Sequence, residues 1–370
     1  MKIMGAQIAW QQFNPVRIIQ GEGSLNRIAE WVLPGEVLLV TSPGFSRRGI
    51  TRQVLRLITN PVTVYDQVMP NPDIDSLDAA VDKLRGKNFS SVIALGGGSA
   101  IDSGKAFASA LTNGRASFLH SVLRDGSIDL PNTCLNLVAI PTTAGTGAEA
   151  TFFATIWDHK NNRKMSLSGE ILFPRVALLD PLLHLTLPRQ ETIYSALDCI
   201  SHALETIWNK NRTPFSESIA TRALTCSLSA LPRVINNPHD IKARQEMMIA
   251  STFAGIAISQ NYTALAHSIS YPLTIYFSVP HGLAAGFTLN AIIRFLREND
   301  FFRPDGNLDK QIVRLEKMLR SFKLNLEITK YVSLDKAVQK IPEMFTPDRL
   351  NNFVYTISAD DVRSILKDSF

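Results

Sequence analysis

SVIALGGGSAIDSGKA, residues 91–106, is the stretch on which the fold of this chain turns. Ser91–Leu95 is a short, largely apolar run with no charge, the pattern of a strand buried on both faces. Gly96, Gly97 and Gly98 then let the backbone turn sharply and bring bare N–H groups against an anion. The helix that starts there adds its dipole. Ser99 and Asp102 form an S-x-x-D capping box, which gives Asp102 a structural role needing no ligand. The turn is neither G-x-G-x-x-G nor a G-x-x-x-x-G-K-[ST] phosphate loop, so glycines alone leave its purpose open.

Similar runs lie on either side: VLLVT from Val37, PVTVYD from Pro61 and LNLVAIPTT from Leu135. Amphipathic helical segments such as DSLDAAVDKLR from Asp75 separate them. Buried strands alternating with helices predict an α/β domain with a doubly wound, Rossmann-like parallel sheet, which binds ligands at the carboxyl ends of its strands. A second loop, PTTAGTGAEA from Pro141, leaves one of those ends. Thr142, Thr143 and Thr146 offer hydroxyls beside Gly145 and Gly147, more polar groups than a plain turn needs. Together the two loops read as a dinucleotide cradle.

Past LLDPLLHLTLP (residues 178–188) the strand pattern stops and long amphipathic helical segments take over, such as PFSESIATRALTCSLSALPRVI from Pro214. The expected division is an α/β domain over residues 1–188 and an all-α domain over 189–370, with a small-ligand site in the cleft between them. The helical half holds a second cluster. Asp198 and His202 are one turn apart in YSALDCISHALETIW and project from one face. His267 and His281 follow in LAHSISYPLTIYFSVPHG. A single buried histidine is ordinarily a hydrogen-bonded core residue. Three in apolar helical surroundings, with a carboxylate, suit a borderline divalent ion such as Fe(II) or Zn(II) better than Mg or Ca.

At 370 residues the chain exceeds one hydrophobic core, and 45% hydrophobic with 19% charged residues is ordinary for a globular enzyme. A formal charge of +5 with no basic run longer than pairs such as Arg47-Arg48 argues against nucleic acid. Cys134, Cys199 and Cys226 lack CxxC spacing and read as free thiols in a reducing compartment. The opening MKIMGAQIAWQQFNP lacks the pattern of a signal peptide, and no uncharged apolar run is long enough for a bilayer. A cytoplasmic protein without a membrane partner is the expectation.

The GGGS turn, the PTTAGTGAE loop, the DP…LP linker, D-x-x-x-H and the late PHG together resemble the iron-containing alcohol dehydrogenases. The likeness runs from NPVRIIQGEGSL at Asn14 to the final helix. It implies a dehydroquinate synthase-like architecture and one divalent metal, iron or zinc, on Asp198, His202, His267 and His281. It implies NAD(P)H contacts at Gly97, Gly98, Ser99, Thr142, Thr143 and Thr146, a cofactor ribose contact at Lys164, and a further contact at Leu182. The implied reaction is hydride transfer between the nicotinamide and a metal-polarised carbonyl, as in an aldehyde reductase, and the implied assembly is a homodimer.

The chain departs from the family pattern twice. Many members carry a histidine four residues after the third metal ligand, where this chain has Tyr271; its hydroxyl or solvent then handles the proton. NAD-preferring members place an aspartate after the second strand, where this chain has Ser42 with Arg47 and Arg48 nearby. Serine tolerates a 2′-phosphate and arginine pairs with one, so NADPH is expected to be accepted.

Within the family, FNPVRII and SISYPLT look most like the branch that reduces phosphonoacetaldehyde to 2-hydroxyethylphosphonate, with short-chain aliphatic alcohols or diols as the rival substrates. A dehydroquinate synthase-like lyase is the competing class, but its metal set has a Glu and two His. A non-enzymatic scaffold would show a broken ligand set or a lost cofactor loop, and the sequence has neither.

Overall fold

The computed structural model describes residues 10–303 and 306–370. Val37, Leu38, Leu39 and Val40 are completely buried, as a strand covered on both faces requires. They belong to β2 (Glu36–Val40) in a six-stranded parallel sheet. Its other strands are β1 (Arg17–Gln20), β3 (Val62–Tyr65), β4 (Phe89–Gly96), β5 (Asn136–Pro141) and β8 (Val176–Leu179). The order is β1-β8-β5-β4-β2-β3. Alternate residues build two separate apolar layers, as the period of two demands. Leu38, Val40, Val92, Ala94, Leu137 and Ala139 face one side. Val37, Leu39, Ile93, Leu95, Val138 and Ile140 face the other. Helix α1 (Ile74–Leu84) and helix α2 (Gly98–Asn113) cover the first layer. Asp73 caps α1 by accepting from Ser76 N at 3.0 Å.

The α/β half is not purely parallel. Strands β6 (Phe153–Asp158) and β7 (Arg163–Ser168) form an antiparallel hairpin outside the main sheet. Its turn end is held by Arg124, whose Nε and Nη2 reach Asp158 at 2.8 and 3.0 Å. The capping box expected at Ser99 and Asp102 is also absent. Helix α2 starts two residues earlier, with Gly97 as the N-cap and no side-chain cap. Asp102 instead accepts from Thr155 N of β6 at 3.0 Å, which fixes the hairpin against α2.

The last strand ends at Leu179, and α3 (Arg189–Ile207) begins the helices that continue with α4 (Pro214–Asn236), α5 (Ile241–Asn261), α6 (Leu265–Phe277) and α7 (His281–Gly286). One large apolar cluster joins them, and among the described residues only Ala144 of the threonine loop reaches it from the α/β half. That loop touches helix backbone directly. Gly147 has φ +60°, and a Cβ there would meet Gly255 Cα of α5 at 2.5 Å. Glycine is required at that position for both conformation and space. In the linker that follows β8, Asp180 accepts from Leu182 N and Leu25 N. His184 Nε2 lies 3.3 Å from the Pro141 carbonyl at the end of β5.

Among the described residues, no helix is long and apolar enough to cross a membrane. The three cysteines are unpaired. The first nine residues of the opening stretch, read above as no leader, lie outside the described residues.

Candidate active site

Two features of the fold converge on one cleft. The carboxyl end of β4 delivers the glycine turn into α2, and the helical half delivers α3, α6 and α7 opposite it. Gly98, Ser99, Asp102, Thr146, Phe153, Trp157, Lys164 and Thr263 line the space, with Asp198, His202, His267 and His281 at its floor.

The glycine turn and the threonine loop pack against each other. Thr142 N donates to the Gly96 carbonyl at 3.0 Å. A Cβ on Gly97 would lie 3.1 Å from Thr143 Oγ1, and one on Gly98 would meet Thr146 Cγ2 at 2.6 Å. The threonines therefore occupy the volume that side chains at 97 and 98 would take, leaving a surface of backbone and small hydroxyls. Ser42, Gly97, Thr142, Thr143 and Leu182 do not line the cleft itself. They follow the ends of β2, β4, β5 and β8, a strip along the carboxyl edge of the sheet. Leu182 is 42% exposed there. Lys164, on β7, stands inside the cleft with its Nζ 3.6 Å from the centroid of the Tyr271 ring.

On the floor, α3 presents Asp198 and His202, α6 presents His267 near its first turn, and α7 begins at His281. Asp198 Oδ1 is 3.3 Å from His267 Nε2, 3.6 Å from His281 Nε2 and 3.7 Å from His202 Nε2. Ligands at ~2.1 Å from a tetrahedral centre lie ~3.4 Å apart, a separation close to these three spacings from Asp198. Asp198 Oδ1 and His267 Nε2 are buried without a hydrogen-bond partner, a costly state that an ion between them relieves. The tightest set is Asp198, His267 and His281, whose ligand atoms all lie within 4.8 Å of one another. His202 stands outside that set. It approaches through Asp198 and stacks on His267 with ring centroids 4.6 Å apart.

The charges suit a cation. Burial alone would raise the Asp198 carboxyl, but His202, His281 and His267 hold it well below the usual range. Burial pushes His202 down to about 4 and His281 to about 3, so both imidazoles are neutral at pH 7 with lone pairs available. His267 differs. Burial would lower it, but the charge of Glu205, with Asp198 beside it, raises it to about 10.

Glu205 was invisible to the reading of the sequence, yet it is completely buried beneath the site. Its Oε2 accepts from His267 Nδ1 at 2.6 Å and its Oε1 from His267 N at 3.1 Å. This fixes the tautomer that points Nε2 into the cluster. The sequence carries a faint signal: Glu205 follows Asp198 by seven residues, two turns along the same helix face.

Tyr271 is one turn beyond His267 and buried. Its ring lies 6.1 Å from His267 and 6.1 Å from His281. Its hydroxyl is 3.5 Å from Thr263 Oγ1, and Thr263 lines the cleft. Burial would raise this phenol, but Arg349, Lys164 and His267 bring it down to about 6. Asp102, at the other wall, is pushed up to about 6 by burial, with Lys105 opposing.

Comparison with known proteins covers nearly the whole chain. The family described as iron-containing alcohol dehydrogenase matches residues 15–181, and its C-terminal counterpart matches residues 192–367. Phosphonoacetaldehyde reductase of Streptomyces viridochromogenes is 37% identical over 267 residues, 70% of this chain and 66% of that protein. The probable alcohol dehydrogenase EutG of Escherichia coli is 34% identical over 252 residues, 67% of this chain and 63% of that protein. The matches thus span just under two-thirds of those two relatives. The crystal structure of sulfoacetaldehyde reductase from Bifidobacterium kashiwanohense in complex with NAD+ superposes with a TM-score of 0.86 at 26% identity, covering 98% of this chain and 99% of that one.

Proposed function

The chain belongs to the iron-containing alcohol dehydrogenase family, and from that membership we propose that it interconverts an aldehyde and its alcohol with NAD(P)H. The observation that carries this reading is the single cleft with an Asp–His cluster on its floor and the glycine and threonine loops on its wall. When bound, a divalent ion, Fe(II) or Zn(II), supplies Lewis acidity at the carbonyl oxygen and the nicotinamide supplies the hydride. Asp198, His202, His267 and His281 would hold the ion.

The chain's own residues do the rest. Gly97, Gly98, Ser99, Thr142, Thr143 and Thr146 hold the dinucleotide phosphates with backbone N–H groups and hydroxyls. Leu182 packs at the outer end of the strip, and Lys164 lies at the cofactor ribose. Tyr271 Oη exchanges a proton with the substrate oxygen through Thr263. Ser42 leaves the end of β2 without a carboxylate, and the Arg48 guanidinium sits nearby over Phe45 at 4.6 Å. That setting favours acceptance of NADPH as well as NADH.

For the substrate we favour phosphonoacetaldehyde, reduced to 2-hydroxyethylphosphonate. The relative of that name and the sulfoacetaldehyde reductase both act, by their names, on an aldehyde that also bears an anion. Short-chain aliphatic aldehydes are the second reading, supported by a relative named 1-propanol dehydrogenase at 30% identity. We place the working protein in the cytoplasm as a homodimer.

The test combines elemental analysis of the purified protein with an aldehyde screen using NADH and NADPH. The expected result is one equivalent of iron or zinc, reduction of phosphonoacetaldehyde and use of both cofactors. His267→Ala should lose metal and activity but keep nucleotide affinity within about threefold, because the phosphate loops belong to the other half. A protein that takes up neither Fe(II) nor Zn(II) and reduces no aldehyde would sink the proposal.

A further inference from the structure

We infer that Arg349 is the anchor for the anionic end of the substrate, a tetrahedral oxyanion on the carbon next to the aldehyde. The inference rests on the aldehyde-reductase reading above and deepens it. Two cations approach one ring beside the metal cluster. Arg349 Cζ lies 4.4 Å from the Tyr271 centroid, and Lys164 Nζ lies 3.6 Å from the same centroid. Among the described residues neither forms an ion pair with a carboxylate, although twenty-one other close pairs exist, six of them involving the histidines of this floor or His120. Without a carboxylate partner, both head groups keep N–H donors for an incoming anion. Lys164 is taken up by the cofactor in the reading above, which leaves Arg349 for the substrate.

The backbone around Arg349 is fastened to the metal-bearing helix on both sides. Before it, Ser268, the neighbour of His267, donates to the Met344 carbonyl and lies 2.8 Å from Thr346 Oγ1. After it, Asn352 Nδ2 donates to the Thr263 carbonyl at 3.0 Å and to the Asp348 carbonyl at 2.9 Å. The segment from 344 to 352 therefore rides on α6 with His267 and Tyr271. The planar guanidinium lies over the Tyr271 ring and can present two N–H groups to two oxyanion oxygens. A lysine in its place would keep the charge and lose the fork.

The experiment compares wild type with Arg349→Gln on three aldehydes: phosphonoacetaldehyde, sulfoacetaldehyde and the neutral propanal. We expect kcat/KM to fall ten- to a hundredfold on an anionic aldehyde through a raised KM, with a loss on propanal several times smaller. A fall confined to one of the two anionic aldehydes assigns the phosphonate or the sulfonate as the natural head group. Calorimetric binding of 2-hydroxyethylphosphonate should weaken by a similar factor, whether or not turnover is detected. Equal losses on all three aldehydes would make Arg349 a partner of Tyr271 alone and overturn the inference, as would unchanged binding of the phosphonate. A wild type that binds the phosphonate through Arg349 but reduces none of the aldehydes would instead count against the reading of the reaction.

Discussion

The two walls of the cleft are built on opposite principles. The α/β wall works by leaving side chains out: Gly97 and Gly98 lack a Cβ, and Thr143 and Thr146 fill the space instead. The groups it exposes are backbone N–H groups and hydroxyls, neutral and cheap to hold in place. The helical floor works by burying side chains that resist burial. Asp198 is 3% exposed, His267 1% and Glu205 0%. Each must be paired or ligated to stay there. The glycine wall thus tolerates chemistry around it but not added volume, whereas the Asp–His floor tolerates volume changes poorly and charge changes least of all.

The strongest way to break the floor without touching a ligand is Glu205→Gln. The amide keeps the size but removes the negative charge that orients His267. Metal affinity, measured by competition with a chelator, should drop ten- to a hundredfold, while nucleotide binding stays unchanged. Unaltered metal affinity would show that His267 needs no help from Glu205.

The corresponding attack on the opposite wall is Gly98→Ala. Its Cβ would lie 2.6 Å from Thr146 Cγ2, so the threonine loop has to move. Cofactor affinity should fall by about tenfold, the scale of a disturbed charge-assisted contact, with metal content intact. If metal is lost in step with cofactor binding, the two walls are not independent and the comparison fails.

The smallest effect concerns the joint between them. Burial pushes His184 down to about 4 from 6.5, so the folded protein keeps this imidazole neutral while the unfolded chain takes up a proton. Its stability contribution is complete above pH 6.5 and is lost as the pH falls towards 4, to a limit of about 3 kcal/mol. Melting temperatures followed over that window should decline more steeply in wild type than in His184→Gln. Parallel declines would show that His184 does not control the acid response. Activity at pH 7 is expected to be nearly the same in the two proteins.

Much of the site was legible in the sequence because its residues sit in short local patterns. The run into GGGS, the threonines after Pro141 and the one-turn spacing of Asp198 and His202 are all local. The misreadings arose where a local pattern met a distant partner. Asp102 fits a capping box by spacing, but Thr155 N on a hairpin fifty-three residues away claims its carboxylate. The hairpin was missed because RKMSLS alternates polar and apolar residues outside the buried-strand pattern that marked the main sheet. Glu205 was missed because a charged residue in an amphipathic helix ordinarily faces water. Its burial depends on His267, which is sixty-two residues later in the chain.

By itself, the sequence determined the alternation of buried strands and helices, the glycine turn that ends β4, the change to helices after Pro188 and the chemical types of the Asp–His cluster. Those follow from periodicity, backbone freedom and side-chain chemistry, which act over a few residues. Tertiary structure alone decided that three imidazoles meet one carboxylate oxygen, that Glu205 turns His267 towards it, and that Arg349 comes to rest on Tyr271. The reason is physical: the energy of a buried charge is set by whatever lies within a few ångströms, and in this protein those neighbours come from helices far apart in the chain.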